Sequence, residues 1–294
     1  MKYVFLGGSG RSGTSFVQKL LILHSEIHGG PEFDFLPRFM QIFSQMKQPA
    51  QLQRQSFFYD ETFLQQQWQE FIASFLENKI IGTKNVSYIS EKTPDNIFAA
   101  QQLLDLMPKA KFVYIYRDGR DVLNSFMNVK KRYKAAKKST KHLSFLKLCL
   151  KWNDCNRHYH ALAKNPAYKD RVYAVKYEYL LENPQTALQD LMSFLALGVE
   201  KEQFNPSQYS MKDHQFSADN IWYTEDMYKQ NFNTSNIGKW QKEMSLWHKI
   251  IGSIAMAPYL KHHAYEISNS YISLHKISKP LFEIAKKVLK PLLK

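Results

Sequence analysis

At 294 residues with 44% hydrophobic content, the chain can bury one sizeable core, and its pattern marks off no second domain. Its 40 Lys and Arg against 26 Asp and Glu leave a formal net charge of +14, which calls for anionic partners. No apolar run is long enough to span a membrane, and no helix-turn-helix, zinc-finger or RNA-recognition signature points to nucleic acid. Cys149 and Cys155 fall on different faces of one helical stretch and cannot bridge each other. That cysteine usage, with a core-like strand starting almost at Met1 and no signal peptide before it, favours a reducing, cytoplasmic location. The ten histidines show no ligand spacing, so no metal is expected, and His262-His263 read as surface residues.

The first predicted element is the strand Tyr3-Val4-Phe5-Leu6, followed at once by a glycine-rich turn. Gly8 through Ser15 spell G-x-x-x-x-G-T-S, a Walker A phosphate loop with Thr14 where the lysine belongs. Such a turn, feeding a helix with Phe16, Leu20, Leu21 and Leu23 on one stripe, aims backbone N–H groups and a helix N-terminus at a phosphate. Without the lysine, the loop suits a 5′-phosphate better than triphosphate chemistry. Arg11, inside the loop, can supply the charge as a planar fork.

Phe35 to Asn78 reads as two or three amphipathic helices with Phe63, Trp68, Phe71, Ile72 and Phe75 facing inward. Strand-like residues follow from Ile80 to Ser90 and end in Glu91-Lys92-Thr93-Pro94, with Pro94 suited to the first turn of the next helix. Lys111 to Tyr116 is a continuous apolar run of the kind a doubly covered parallel strand shows, and it delivers Arg117-Asp118-Gly119-Arg120 at its end. Phe145, Leu148, Trp152, Cys155, Tyr159 and Leu162 form a helical stripe, and Arg171 to Tyr177 is a further strand. Residues 205–236 are polar and irregular, as in a long functional loop or lid. The alternation predicts an α/β fold with a central parallel sheet flanked by helices in three layers, of the P-loop NTPase-like kind. Ligands of such sheets bind at the C-terminal strand ends, where the Arg11 loop, Lys92 and Arg117 all arrive.

These residues resemble the sulfotransferases that use 3′-phosphoadenosine 5′-phosphosulfate (PAPS), especially the branch of tyrosylprotein and bacterial sulfotransferases. Arg11-Ser12-Gly13-Thr14-Ser15 is similar to that branch's 5′-phosphosulfate loop, and Tyr116-Arg117-Asp118-Gly119-Arg120 with Ser125 to its 3′-phosphate motif. Further matches are Lys151-Trp152-Asn153, Tyr177-Glu178-Tyr179-Leu180 and Gly238-Lys239-Trp240. The resemblance implies that Gly10, Arg11, Ser12, Gly13, Thr14 and Ser15 hold the 5′-phosphosulfate and that Arg117 and Ser125 hold the 3′-phosphate. It implies that Tyr177 lies near the nucleotide and that Gly238, Lys239 and Trp240 close over the 3′-phosphate and adenine. Glu32 is implied as general base, Lys92 as the cation on the breaking bond, and Arg11 as its partner on the sulfonate. Ser15 stands for the family's threonine, and Gly238 for a serine of the branch.

The expected reaction moves a sulfonate from PAPS, as co-substrate and without metal, to an acceptor hydroxyl on a carbohydrate, a protein tyrosine or a small-molecule alcohol. A P-loop nucleotide or small-molecule kinase and a non-catalytic polyanion binder remain as alternatives. The basic residues from Lys130 to Lys141 are expected to border the acceptor cleft and recruit an acidic polysaccharide or acidic peptide. The sulfotransferase-like domain is expected over 1–268. A basic amphipathic helix opened by Pro280 is expected within 269–294, lying on an anionic membrane surface or packing on protein.

Overall fold

The computed structural model describes residues 1–78, 85–208, 221–222 and 231–289. Five strands, β1 (Lys2–Gly8), β2 (Ile27–Gly29), β3 (Tyr88–Lys92), β4 (Lys111–Tyr116) and β5 (Val172–Lys176), form one parallel sheet in the order β2-β3-β1-β4-β5. Successive side chains of β1 serve opposite faces, so its apolar run feeds two cores. Phe5, with Phe112 and Tyr114 of β4, packs under α2 (Leu36–Met46), α4 (Glu61–Glu77), α5 (Ala100–Leu106) and α7 (Phe145–Lys164). Val4 and Leu6, with Val113 and Ile115, pack under α1 (Thr14–Ile22), α8 (Tyr177–Glu182) and α9 (Pro184–Leu195). This is the three-layer parallel α/β arrangement the alternating pattern predicts.

A third apolar cluster joins α6 (Gly119–Ala135) and α7 to α11 (Leu246–His262), centred on the fully buried Trp152. The helices α3 (Pro49–Arg54), α10 (Trp240–Glu243) and α12 (Asn269–Leu289) complete the described chain. None of the described helices is long and apolar enough to cross a membrane.

Several expectations need correction. The three-residue β2 is too short to leave a periodic signal and was not foreseen. Of the aromatic stripe on α4, Ile72 is buried and Trp68 half-buried, but Phe63, Phe71 and Phe75 are 51%, 41% and 49% exposed. Periodicity identifies an apolar face; it does not say that anything covers it. Pro280 does not open a helix. α12 begins at Asn269 and runs through the proline, held on α11 by a 2.7 Å contact between His275 Nδ1 and the Ile254 carbonyl, with Phe282 packed beside it. His263 is not an ordinary surface residue. It stacks on Tyr116 at 4.3 Å and donates from Nε2 to Asn156 Oδ1 at 2.6 Å, because α11 returns across the end of β4. Most of the segment 205–236 lies outside the described residues, as do residues 80–84 of the strand expected from Ile80 to Ser90.

Candidate active site

The loop after β1 is shaped by what surrounds it. A Cβ on Gly8 would fall 2.3 Å from the Ile115 carbonyl oxygen, and one on Gly13 the same distance from the Tyr177 ring, with Gly13 already at φ +97°. Both positions therefore require glycine, the second on backbone grounds as well. Arg11 holds φ 68°, a left-handed conformation that costs a non-glycine residue roughly 1–3 kcal/mol and must be imposed by its contacts. Those contacts are donations from Nε to Ser125 Oγ (3.0 Å) and from Nη1 to the Trp222 carbonyl (2.9 Å). Thr14 and Ser15 open α1, whose first N–H groups face the loop.

The second cluster sits on the neighbouring strand. β4 ends at Tyr116, and Arg117 follows it, buried, with its guanidinium carbon 4.8 Å from the Tyr177 ring centroid. Its backbone is pinned on both sides. The Trp152 indole donates to the Arg117 carbonyl at 3.2 Å, and the Asp118 N–H donates to Glu178 Oε1 at 2.8 Å. Glu178 also accepts from the Tyr265 hydroxyl at 2.9 Å, and burial pushes its carboxyl pKa up against those bonds. Arg117 Nη2 donates to the Asn236 carbonyl at 2.6 Å and lies 3.8 Å from Asp121.

Asp121 then gathers the segment expected to cover the donor. It accepts from the N–H of Gly238 at 2.7 Å and of Trp240 at 2.9 Å, with Gly238 at φ 71°. Burial raises the Asp121 carboxyl, while Arg117 and these two N–H groups oppose the shift. Lys239 lies half-buried on this turn, between the two residues that Asp121 holds. The Trp240 ring is occupied by the Arg120 guanidinium at 4.0 Å. A cleft of about 480 Å³ opens beside this turn, lined by Arg120, Glu178, Trp240, Tyr265 and Tyr271 among others.

The third cluster lies on the other side of β1, where the pairing of Leu6 with Lys92 brings the end of β3 level with the loop. Lys92 is buried, donates to Ser15 Oγ at 3.1 Å, and forms an ion pair with Glu32. Glu32 reaches it because its loop is laced to β3: the N–H of Phe33 donates to Glu91 Oε1 (3.2 Å) and that of Asp34 to Thr93 Oγ1 (3.1 Å). Glu91 is itself buried and held by Asn96 and Thr93; burial raises its carboxyl in spite of those bonds. The structure thus brings Arg11, Ser12, Thr14, Ser15, Lys92, Arg117 and Tyr177 to one edge of the sheet, with Glu32, Ser125 and Gly238 at its rim.

A two-ended anion should find donors here, and two buried ones are vacant. Ser12 Oγ in the loop and Arg117 Nε on the neighbouring strand are buried polar atoms with no hydrogen-bond partner. Buried polar groups are ordinarily satisfied, and Asn96 Oδ1, Arg132 Nη2, Asn153 Oδ1 and His160 Nε2 share this state among the described residues. Among the described residues no group of His, Cys, Asp and Glu is arranged to hold a metal ion.

Sequence reasoning missed Asp121 and the anchoring roles of Glu178, Glu91 and Trp222. All four act on residues far along the chain, and their own neighbours in sequence carry no signal for that. The Arg11 guanidinium, expected on the sulfonate, meets Ser125 on the side of the second cluster. The basic stretch on α6 meets the site through Arg132, which donates to the Ile221 carbonyl at 2.9 Å beside the Trp222 that Arg11 touches.

Comparison with known proteins adds to this geometry. The model of the Sulfotransferase family matches residues 4–201, which contain the loop, Glu32, Lys92, Arg117, Ser125 and Tyr177. The chain belongs to the sulfotransferase family. It is 24% identical to the protein-tyrosine sulfotransferase of Drosophila melanogaster over 82% of this chain and 47% of that one. It is 23% identical to protein-tyrosine sulfotransferase A of Caenorhabditis elegans over 81% of this chain and 60% of that one. The chain therefore spans about half to three fifths of these relatives. Among solved structures, the sulfotransferase domain of the Synechococcus olefin synthase superposes with a TM-score of 0.62 at 18% identity, covering 91% of this chain and 96% of that one. A mouse sulfotransferase complexed with PAP superposes at 0.53 and 14% identity, covering 95% and 89%. These likenesses establish the P-loop NTPase-like fold for this chain.

Proposed function

We propose that this sulfotransferase moves the sulfonate of PAPS to an acceptor hydroxyl, with Glu32 as general base. The observation that carries the reading is the pair of anion grips on adjacent strands, each with a buried and vacant donor: Ser12 Oγ in the loop and Arg117 Nε at the end of β4. The donor molecule brings an activated sulfonate at one end and a 3′-phosphate at the other. The loop N–H groups, Ser12, Thr14 and Ser15 suit the first end; Arg117, Ser125 and the Gly238–Trp240 turn suit the second. Arg11, bonded to Ser125 from within the loop, belongs to both. The PAP in the mouse structure supports the same donor class here.

In the transfer the acceptor oxygen forms a bond to sulfur, the bond from sulfur to the bridging oxygen breaks, and the acceptor proton passes to a Glu32 carboxylate oxygen. A placed base of this kind contributes roughly 10²–10⁴-fold. Lys92, hydrogen-bonded to both Ser15 and Glu32, stands where negative charge grows on the leaving oxygen, and a cation there favours the transition state over the ground state. Of the basic residues from Lys130 to Lys141, Arg132 reaches the segment that Arg11 also touches, so this reading assigns the stretch to steering the polyanionic donor rather than the acceptor. Thr14 in place of the Walker lysine tells against a kinase.

The test is calorimetric titration of 3′-phosphoadenosine 5′-phosphate in EDTA, beside ADP and AMP, on wild type and Arg117→Ala. Metal-free binding that requires the 3′-phosphate and weakens at least tenfold in the variant is expected. No preference for the 3′-phosphate would overturn the reading.

A further inference from the structure

Beside Glu32 the protein exposes a patch of aromatic surface that the donor site does not use. Phe33 follows the candidate base directly, and its ring centroid lies 5.8 Å from Phe35, 6.0 Å from Phe39 and 5.6 Å from Phe75. Phe39 is the hub. It stacks on Phe35 at 6.0 Å and meets Phe71 at 5.2 Å and Phe75 at 6.3 Å, while Phe71 and Phe75 lie 5.0 Å apart. Trp68 supports the cluster from within, 5.6 Å from Phe71. Phe35, just before α2, and Phe71 and Phe75, one turn apart on α4, are 48%, 41% and 49% exposed, so the patch is shared between two elements. A patch of clustered exposed phenyl rings on a folded domain marks a contact site for something apolar.

The charges around Glu32 narrow the choice. Asp34 lies within electrostatic reach of Glu32, Lys92 and Asp95, and Asp95 is paired with Lys151 at 2.7 Å. Lys92 is already engaged by Glu32 and Ser15. With Arg38 over the Phe35 ring at 6.0 Å, the carboxylates of Glu32, Asp34 and Asp95 are matched by the cations Lys92, Lys151 and Arg38, so the surface holds no excess of positive charge to recruit an acidic peptide or polysaccharide. A neutral molecule needs none. The rings extend beyond the width of a single aromatic side chain, from Phe35 through Phe33 and Phe75 to Phe71.

We infer that the acceptor is a neutral alcohol carried on an extended apolar body, which lies across Phe35, Phe75 and Phe71 while its hydroxyl reaches Glu32. This rests on the sulfotransferase reading for its chemistry, but the binding surface can be tested without turnover.

The probe is 11-bromo-1-undecanol, whose bromine quenches tryptophan fluorescence, added to full-length protein with and without saturating PAP. Saturable quenching that disappears in Trp68→Phe is expected, with affinity at least fivefold weaker in Phe35→Ser and Phe75→Ser. PAP titration and thermal melting of those variants check that they fold and keep the donor site; the substituted rings are half-exposed, and Phe35→Ala serves if a serine variant fails to fold. In turnover with PAPS, kcat/KM along a series of linear primary alcohols should rise toward the limit of about fourfold per methylene set by full burial. The slope should flatten in the two variants. Absence of saturable quenching would overturn the inference, as would equal affinity in wild type and variants, or faster turnover of a tyrosine peptide or a sugar than of every alcohol in the series. Quenching that persists in a protein unable to bind PAP would leave the aromatic site standing and remove the donor reading instead.

Discussion

Replacing Gly13 by alanine tests whether the phosphate loop is held open by the Tyr177 ring. The added methyl would sit 2.3 Å from Tyr177 Cδ2 and 2.5 Å from Cε2, on a backbone at φ +97°. The left-handed backbone costs an L-residue about 1–2 kcal/mol and overpacking a further 1–3, for a total of roughly 2–5 kcal/mol. At about 2–4 °C per kcal/mol for a domain somewhat smaller than this one, Tm should fall by roughly 5–15 °C. The two contributions can be separated. In a Tyr177→Ala background the ring is gone and only the backbone cost remains, so Gly13→Ala should then lose about 1–2 kcal/mol, leaving a coupling of about 1–3 kcal/mol between the sites. Urea unfolding of the four proteins measures the cycle. An identical loss in both backgrounds would refute the steric argument.

Asp121→Ala removes the acceptor for two backbone N–H groups and the carboxylate beside Arg117, so PAP affinity should fall by at least tenfold while the PAP-free Tm drops by only a few degrees; unchanged affinity by calorimetry would show that the Gly238–Trp240 turn is not part of the donor grip. Burial, reinforced by His262 and Lys164 at His160 and by His160, His262 and Lys176 at His263, lowers the pKa of His160 to about 4 and of His263 to about 3, from 6.5. The unfolded chain therefore binds these protons first, stability is complete above pH 6.5, and it declines as pH falls toward the folded values. At pH 5 the loss is about 2 kcal/mol per histidine. Melting curves at pH 7.5 and 5 should differ by less in His160→Gln/His263→Gln than in wild type. On α12, Leu274, Ile277, Leu281 and Ile284 form a solvent-facing stripe near Lys276 and Lys279. Co-sedimentation with phosphatidylserine vesicles should fall when Ile277 and Leu281 are both changed to Glu; equal partitioning would place no part of this stripe on a membrane.

Much of the candidate donor half of the site is legible in the sequence because it is local. A strand, a glycine-rich turn and a helix are contiguous, and Arg117 follows its strand directly, so type and spacing suffice to read them. Lys92 and Glu32 came from the resemblance, and their ion pair depends on a strand pairing between β1 and β3 that spacing does not encode. Asp121, Trp152 and Glu178 act through backbone groups brought together by folding, and a carboxylate on a helix looks the same whether it meets water or the N–H of Gly238. The phenyl rings of α4 were read as core because periodicity reports amphipathicity alone. Their exposure is a property of what the rest of the chain leaves uncovered. His263 and Pro280 were misread for a related reason: both are decided by where α11 and α12 pack.

Asp121 also has a bearing on how this protein can change. After Phe204 the chain is fastened at Ile221 and Trp222 by Arg132 and Arg11, and at Asn236, Gly238 and Trp240 by Arg117 and Asp121. These fastenings use main-chain atoms, the carbonyls of Ile221, Trp222 and Asn236 and the N–H groups of Gly238 and Trp240. They do not specify the side chains of the residues that supply them, so substitution at these positions, Gly238 at φ 71° excepted, can proceed while the contacts to Arg11, Arg117, Asp121 and Arg132 stay in place.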